Sequence, residues 1–232
     1  MNEAVATDDV GSSANSARAD ARLRTTEIFA SLQGESTRVG LPTVFVRLTG
    51  CPLRCTWCDT AYAFQGGEAR TLESVLAEVA QHGLPYVCVT GGEPLSQKNC
   101  LPLLTALCDA GYSASLETSG ALDIGAVDAR VSRIMDLKAP GSGEVLKNRY
   151  ANIALLNERD EVKIVLADEA DYAWAKQQIA EHDLARRCTV LLSPVAGALE
   201  PATLAEWIVR DRLPVRFQLQ LHKILWNDAR GR

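Results

Sequence analysis

Three cysteines fall within eight residues of one another, in the run Gly50-Cys51-Pro52-Leu53-Arg54-Cys55-Thr56-Trp57-Cys58-Asp59, a C-x3-C-x2-C spacing. Thiolates this close on one loop converge on a single metal centre. A closed structural zinc site takes four protein ligands, and a 4Fe-4S cluster is usually held by four cysteines. Three cysteines without a nearby fourth ligand point to a cluster with one iron open for something else to bind. A disulfide framework does not fit, because seven cysteines is an odd count and nothing marks the chain as secreted. Zinc would need a fourth ligand from elsewhere, and His82, His182 and His222 are scattered. Cys88, Cys100, Cys108 and Cys188 lie in apolar runs and read as structural thiols.

Such a loop needs a scaffold, and 232 residues can bury a large core as one α/β domain. The hydrophobic fraction is 47% and the charged fraction 23%, ordinary for a soluble globular protein. A net charge of −5 argues against a general nucleic-acid or membrane-surface role, which favours a basic patch. No apolar run reaches the roughly 18 residues of a membrane span. Residues 1–21 are rich in Ala, Ser, Asp and Asn, without the basic and apolar regions of a signal peptide. They read as a disordered tail ahead of a single domain at 22–232, in a cytoplasmic, reducing setting.

Strand-like and helix-like runs alternate through that domain. Strands are expected at 25–32, 43–49, 86–89, 113–117, 133–137, 162–166, 188–192 and 215–221. Helices are expected at 72–81, 101–110, 169–182 and 203–209, and 141–160 reads as loop. Alternation of this kind predicts parallel βαβ units. Six of the strands lie between Thr43 and Leu192, too few for a closed eight-stranded barrel. The expected fold is therefore an open, partial (β/α) barrel with extra N- and C-terminal strands.

Unusual residues collect just after these strands. The cysteine loop follows the first of the six, Thr90-Gly91-Gly92-Glu93 the second, Glu117-Thr118 the third and Lys138 the fourth. Ser193-Pro194 follows the sixth, and His222-Lys223 the last strand of the chain. In α/β barrels the loops at the C-terminal strand ends build the active site, so these groups should open onto one face.

The cysteine spacing, with Trp57 before the third cysteine, and the Gly91-Gly92-Glu93-Pro94 segment resemble the radical S-adenosylmethionine superfamily. That resemblance implies a 4Fe-4S cluster on Cys51, Cys55 and Cys58, with S-adenosylmethionine on the open iron. It also implies delivery of one electron to the sulfonium and cleavage of its C–S bond, giving methionine and a 5′-deoxyadenosyl radical, with Glu93 accepting a hydrogen bond from the methionine ammonium. Lys138 would answer the cofactor's carboxylate or a ribose oxygen. A finer resemblance spans most of the chain after residue 22: Glu27-Ile28-Phe29, Ser31-Leu32-Gln33-Gly34-Glu35, Arg47, Cys58-Asp59-Thr60, Thr90-Gly91-Gly92-Glu93-Pro94, Glu117-Thr118-Ser119-Gly120 and Gln220-Leu221-His222-Lys223. This set is similar to the 7-carboxy-7-deazaguanine synthase family of the queuosine pathway.

The family converts 6-carboxy-5,6,7,8-tetrahydropterin to 7-carboxy-7-deazaguanine with loss of ammonia, uses Mg2+ and forms homodimers. The resemblance implies that Leu32, Gln33, Gly34, Glu35, Arg47 and Thr90 meet the pterin substrate, Arg47 taking its carboxylate. It implies Thr60 as a ligand to Mg2+, a cation that prefers oxygen. Trp57, Cys58, Asp59, Gly92, Glu93, Asp136, Lys138 and Ser193 would meet S-adenosylmethionine. The electron donor would be a flavodoxin or ferredoxin. Ser193-Pro194-Val195-Ala196 stands where some members carry Gln-Pro-x-Asp, so that contact departs from their pattern. A glycyl-radical-enzyme activating enzyme and a zinc-stabilised binding module are the competing readings.

Overall fold

The computed structural model describes residues 22–227 and 229–232; the N-terminal stretch read as a tail lies outside the described residues. In chain order the elements are β1 (Arg22–Leu32), β2 (Pro42–Leu48), β3 (Glu68–Thr71), α1 (Leu72–Gln81), β4 (Tyr86–Gly91), α2 (Cys100–Asp109), β5 (Ser113–Thr118), β6 (Ser132–Asp136), β7 (Glu161–Leu166), α3 (Glu169–Glu181), α4 (Leu184–Arg187), β8 (Thr189–Pro194), α5 (Pro201–Asp211), β9 (Arg216–Phe217) and α6 (Leu221–Trp226). The nine strands among the described residues form one sheet in the order β3-β1-β2-β4-β5-β6-β7-β8-β9, running edge to edge without closing. From β2 to β9 every neighbouring pair is parallel, whereas β1 runs antiparallel to both β2 and β3. This is the expected open α/β sheet with additional terminal strands.

Alternation along each strand sorts the residues onto two faces. Val44, Val46 and Leu48 of β2, Val87 and Val89 of β4, and Val162, Ile164 and Leu166 of β7 join one core cluster. Helix residues at three- and four-residue spacing cover it: Val75 and Val79 of α1, Leu103, Leu104 and Leu107 of α2, and Tyr172, Ala175 and Ile179 of α3. Burying each large aliphatic side chain contributes roughly 1.5–3 kcal/mol. The opposite face carries Arg47, Thr90, Glu117, Asp136, Lys163 and Val165, and these line a cavity. Charged residues in the middle of parallel strands are tolerated because that face meets a polar cavity instead of helices.

Local signals set the boundaries. Thr71 caps α1 by accepting from the Ser74 N–H, and Asp168 caps α3 by accepting from the Asp171 N–H. Pro201 opens α5. Gly111, with φ +87°, takes the left-handed position just after α2. The 141–160 stretch contains three 3-10 turns, at Pro140–Ser142, Val145–Lys147 and Tyr150–Leu155.

The expected strand at 215–221 is corrected. Only Arg216–Phe217 pairs with β8, and α6 begins at Leu221. The chain leaves the sheet at Gln218, whose side chain accepts from the Ser36 N–H and donates to the Ser36 carbonyl. His222 and Lys223 therefore open a short helix rather than follow a strand. The edge strand β3 escaped the sequence reading because Glu68-Ala69-Arg70-Thr71 has no apolar alternation; its pairing with β1 defines it.

The β1–β2 connection, residues 33–41, folds under the cavity. Thr37 donates from N and Oγ1 to Glu161 at the start of β7. Arg38 donates to the Ser113 carbonyl at the start of β5, and its guanidinium lies over the ring of Tyr86 at the start of β4. This segment closes the N-terminal end of the parallel strands, so the cavity opens toward their C-terminal ends.

Candidate active site

The cysteine loop leaves β2 and is fastened at both ends. Gly50 N donates to the Ala63 carbonyl, Cys58 N to the Cys55 carbonyl, and Thr56 donates from N and Oγ1 to the Ser142 carbonyl. Cys51, Cys55 and Cys58 all line a cavity of about 300 Å3. Their thiols are free and part-buried, whereas Cys88, Cys100 and Cys188 are buried away from them. No three His, Cys, Asp or Glu side chains among the described residues stand in a preassembled metal geometry. Burial raises the Cys51 and Cys55 thiol pKa values, and the Lys138 ammonium works against that rise at both. Ligation would remove the thiol protons outright, as metal binding does.

The Gly91-Gly92 turn lies against this loop. A Cβ on Gly92 would sit 2.2 Å from the Gly50 carbonyl oxygen and 2.8 Å from Cys51 Cβ, and one on Gly91 would sit 2.1 Å from the Leu48 oxygen. Gly91 also has φ +152°. Both glycines line the cavity. Three thiols on one side and a side-chain-free turn on the other suit a bulky cofactor anchored through sulfur.

Glu93 is placed differently from the expectation. It is completely buried, and its carboxylate accepts from Leu95 N, Thr118 Oγ1, Ser119 N and Ser119 Oγ. These donors tie the end of β4 to the end of β5. The carboxylate is thus occupied within the fold, and Gly91, Gly92, Thr118 and Ser119 face the cavity. Ser193 is also buried, at 2% exposure, with an Oγ lacking a hydrogen-bond partner; its neighbours Val195 and Ala196 line the cavity instead.

Asp136 and Lys138 stand together at the end of β6. Lys138 Nζ donates to Asp136 Oδ2 at 2.6 Å, and Lys163 Nζ lies 3.4 Å from Asp136 Oδ1. Burial alone would raise the Asp136 pKa, but the two ammonium groups outweigh it and hold the carboxyl below its ordinary value. Lys163 also pairs with Glu35 Oε2, and Gln220 donates to Glu35 Oε1 at 2.6 Å.

The other end of the cavity is built around Glu117. Gln33 Nε2 donates to Glu117 Oε1 at 3.3 Å and Thr90 Oγ1 to Glu117 Oε2 at 2.9 Å. Gln33 Oε1 accepts from Glu35 N, which fixes the orientation of the amide. Arg47 faces Glu27 across β1 and β2, and its Nε donates to Glu27 Oε1 at 2.7 Å. The Tyr62 hydroxyl donates to the same oxygen at 2.7 Å. Arg230 lies 3.9 Å over the Tyr62 ring, and residues 229–232 line the cavity. Leu32 lines it too, and Gly34 packs so tightly on His222 that a Cβ would come within 2.3 Å of Nδ1.

Trp57, Asp59 and Thr60 complete the wall. Thr60 Oγ1 donates to Asp59 Oδ1 at 2.8 Å and makes no cap bond to the turn that follows. Its hydroxyl lone pairs are therefore not taken up by a cap. Lys223 Nζ lies 3.1 Å from Asp59 Oδ2. Burial would raise the Asp59 pKa, yet Lys223 and the Thr60 hydroxyl bring it down to about 2.

All the expected site residues except Glu93 and Ser193 line this one cavity. Sequence reasoning missed Lys163, Glu27, Tyr62 and Arg230. Lys163 carried a readable signal, a lysine in the middle of the apolar strand Val162-Lys163-Ile164-Val165, just as Arg47 is a charge within the apolar run Val44-Phe45-Val46-Arg47-Leu48. Glu27 and Tyr62 gain meaning only from strand pairing and loop closure.

Comparison with known proteins agrees with this geometry. Residues 45–139 match the Radical SAM superfamily. A 7-carboxy-7-deazaguanine synthase of Chlorobaculum tepidum is 52% identical over 216 residues, covering 91% of this chain and 98% of the relative. The synthase of Koribacter versatilis is 40% identical, covering 88% of this chain and 97% of its own length. Among solved structures, QueE from Escherichia coli superposes with a TM-score of 0.71 at 26% identity, covering 88% of this chain and 96% of that one.

Proposed function

The chain belongs to the 7-carboxy-7-deazaguanine synthase family of radical SAM enzymes, and we propose that it is a carbon–nitrogen lyase that converts 6-carboxy-5,6,7,8-tetrahydropterin to 7-carboxy-7-deazaguanine with loss of ammonia. The observation that carries this reading is one cavity with three thiols at one end and Arg47, Gln33, Thr90 and Glu117 at the other. When bound, a 4Fe-4S cluster and S-adenosylmethionine supply hydrogen-atom abstraction. Cys51, Cys55 and Cys58 would hold the cluster, and Gly91 and Gly92 would let the cofactor approach the backbone. Lys138 and Asp136 would meet its polar groups. Glu93 acts through the turn it braces rather than by direct contact.

Arg47, anchored through Nε by Glu27, directs the rest of its guanidinium to the substrate carboxylate, a match suited to bidentate binding. Gln33, held by Glu117 and the Glu35 N–H, would pair with the amide and amine edge of the pterin. Thr90 would add a hydroxyl beside it. Thr60 would bind Mg2+ through oxygen, with the ionised Asp59 alongside. Around them, Gln220, Lys223 and the 229–232 segment exclude water from the space where the ring is contracted. The family also leads us to propose a homodimer and a flavodoxin or ferredoxin as electron donor. A glycyl-radical-activating role is not favoured, because the relatives are synthases and the cavity is furnished for a small carboxylated heterocycle. Among the described residues, no helix is long and apolar enough to cross a membrane.

The test is turnover by the anaerobically reconstituted protein with reductant, S-adenosylmethionine and Mg2+. Formation of 7-carboxy-7-deazaguanine from carboxytetrahydropterin is expected. Absence of product from a protein carrying a full cluster would overturn the reading.

A further inference from the structure

Four alternating charges cross the cavity wall in a row. Lys138 pairs with Asp136 Oδ2, Lys163 reaches Asp136 Oδ1, and Lys163 also pairs with Glu35 Oε2. The row begins at Lys138, which lines the same cavity as Cys51, Cys55 and Cys58. It ends on the β1–β2 connection, where the Glu35 N–H orients Gln33. Lys163 stands between the two carboxylates and only 12% of its side chain is exposed. Burial alone would lower the Lys163 pKa, but Asp136, Glu35 and Glu117 outweigh it, so the amine stays charged. A buried ammonium between two carboxylates holds both in place; removing it would leave Asp136 and Glu35 facing each other with like charge.

We propose that Lys163 is a positioning residue that couples the two ends of the site, holding Glu35 and Gln33 for the pterin while bonded to the Asp136 that serves the cofactor end. The inference rests on the pterin reading above. Lys163 sits on β7 and contacts both carboxylates, so restricting one of them restricts the other. Binding at the cofactor end fixes Asp136 and Lys138, and through Lys163 narrows the positions open to Glu35. Cofactor and pterin then strengthen each other's binding, and the effect is reciprocal.

Equilibrium dialysis on the cluster-loaded protein tests this, with pterin-6-carboxylate as the probe, in the presence and absence of S-adenosylmethionine. In the parent protein the cofactor should tighten pterin binding by at least about 5-fold. Lys163→Met should weaken pterin binding roughly 10- to 100-fold and reduce the tightening to about 2-fold or less, with iron content at the parent level and S-adenosylmethionine binding weakened less than pterin binding. Lys163→Arg should restore most of both effects. Should Lys163→Met prove unfolded by circular dichroism, Lys163→Gln, which removes the charge but keeps a polar side chain between the two carboxylates, carries the same test. Parent-like pterin affinity and coupling in the neutral variants would overturn the inference alone, as would equal loss of cluster and pterin. Failure of the parent protein to bind the pterin would overturn the substrate reading and this inference with it.

Discussion

Arg47 and Glu27 stand opposite each other in the β1–β2 register, and the Arg47 Nε donates to Glu27 Oε1 at 2.7 Å inside the cavity. Glu27 also accepts from Tyr62, so one carboxylate aims two side chains at the same space. Arg47→Ala should raise the KM for carboxytetrahydropterin by roughly 10- to 100-fold, the loss of a charged partner in a partly desolvated site. Glu27→Gln should raise it less, because the amide oxygen still accepts. Iron content should stay at the parent level in both. Steady-state kinetics and iron assay check this, and equal loss of cluster and substrate binding would make Arg47 structural.

The cysteines divide sharply into two groups by position. Cys51, Cys55 and Cys58 line the cavity, whereas Cys88 and Cys100 are fully buried elsewhere. Cys55→Ser should abolish the broad iron–sulfur absorption near about 400 nm and all S-adenosylmethionine cleavage. Cys100→Ala should keep both. Absorption spectra after anaerobic reconstitution separate the two, and loss of colour in Cys100→Ala would contradict the assignment.

Gly92 leaves no room for a methyl group, since a Cβ would sit 2.2 Å from the Gly50 oxygen and 2.8 Å from Cys51 Cβ. The neighbours are backbone and Cys51, which cannot move aside without displacing the cysteine loop. Gly92→Ala should therefore reduce S-adenosylmethionine cleavage by about 100-fold or more. Cleavage at the parent rate would show that the turn has slack.

Glu161 is buried at the start of β7, and burial raises its pKa against the lowering effect of the Thr37 hydroxyl and N–H. A folded-state pKa above the unfolded one gives stability that is present below the unfolded pKa and lost as pH rises through the folded pKa. Glu161→Gln removes that titration. The stability of the variant relative to the parent should rise across the weakly acidic range and level off above it. Urea midpoints at several pH values measure the difference, and a pH-independent gap would mean that Glu161 does not titrate as described.

The cysteine spacing, the Gly91-Gly92 turn and the strand–helix alternation were legible because each is local. Cysteine spacing lies within one loop, a turn needs its glycines in place, and apolar runs mark the interior strands, though not the edge strand β3. The residues that build the chain's open α/β sheet and its cysteine loop are therefore readable without coordinates. Arg47 was legible for a similar reason: a charge inside an apolar strand calls for a partner.

What the tertiary structure decided is who that partner is. Lys163 carries the same local signal as Arg47, but its pairing with Glu35 spans 128 positions and depends on the β1–β2 connection folding beneath β7. Glu93 sits in a motif that suggests direct cofactor contact, yet burial against Thr118 and Ser119 commits its carboxylate to the fold. The 215–221 stretch has the composition of a strand, but only Arg216–Phe217 pairs with β8 before the helix at Leu221, and the Gln218 side chain is committed to the Ser36 backbone. A one-dimensional pattern records which residues prefer burial or a given backbone. It does not record which distant donors and acceptors meet, and in a desolvated cavity that pairing determines whether a charge binds a ligand or holds the protein together.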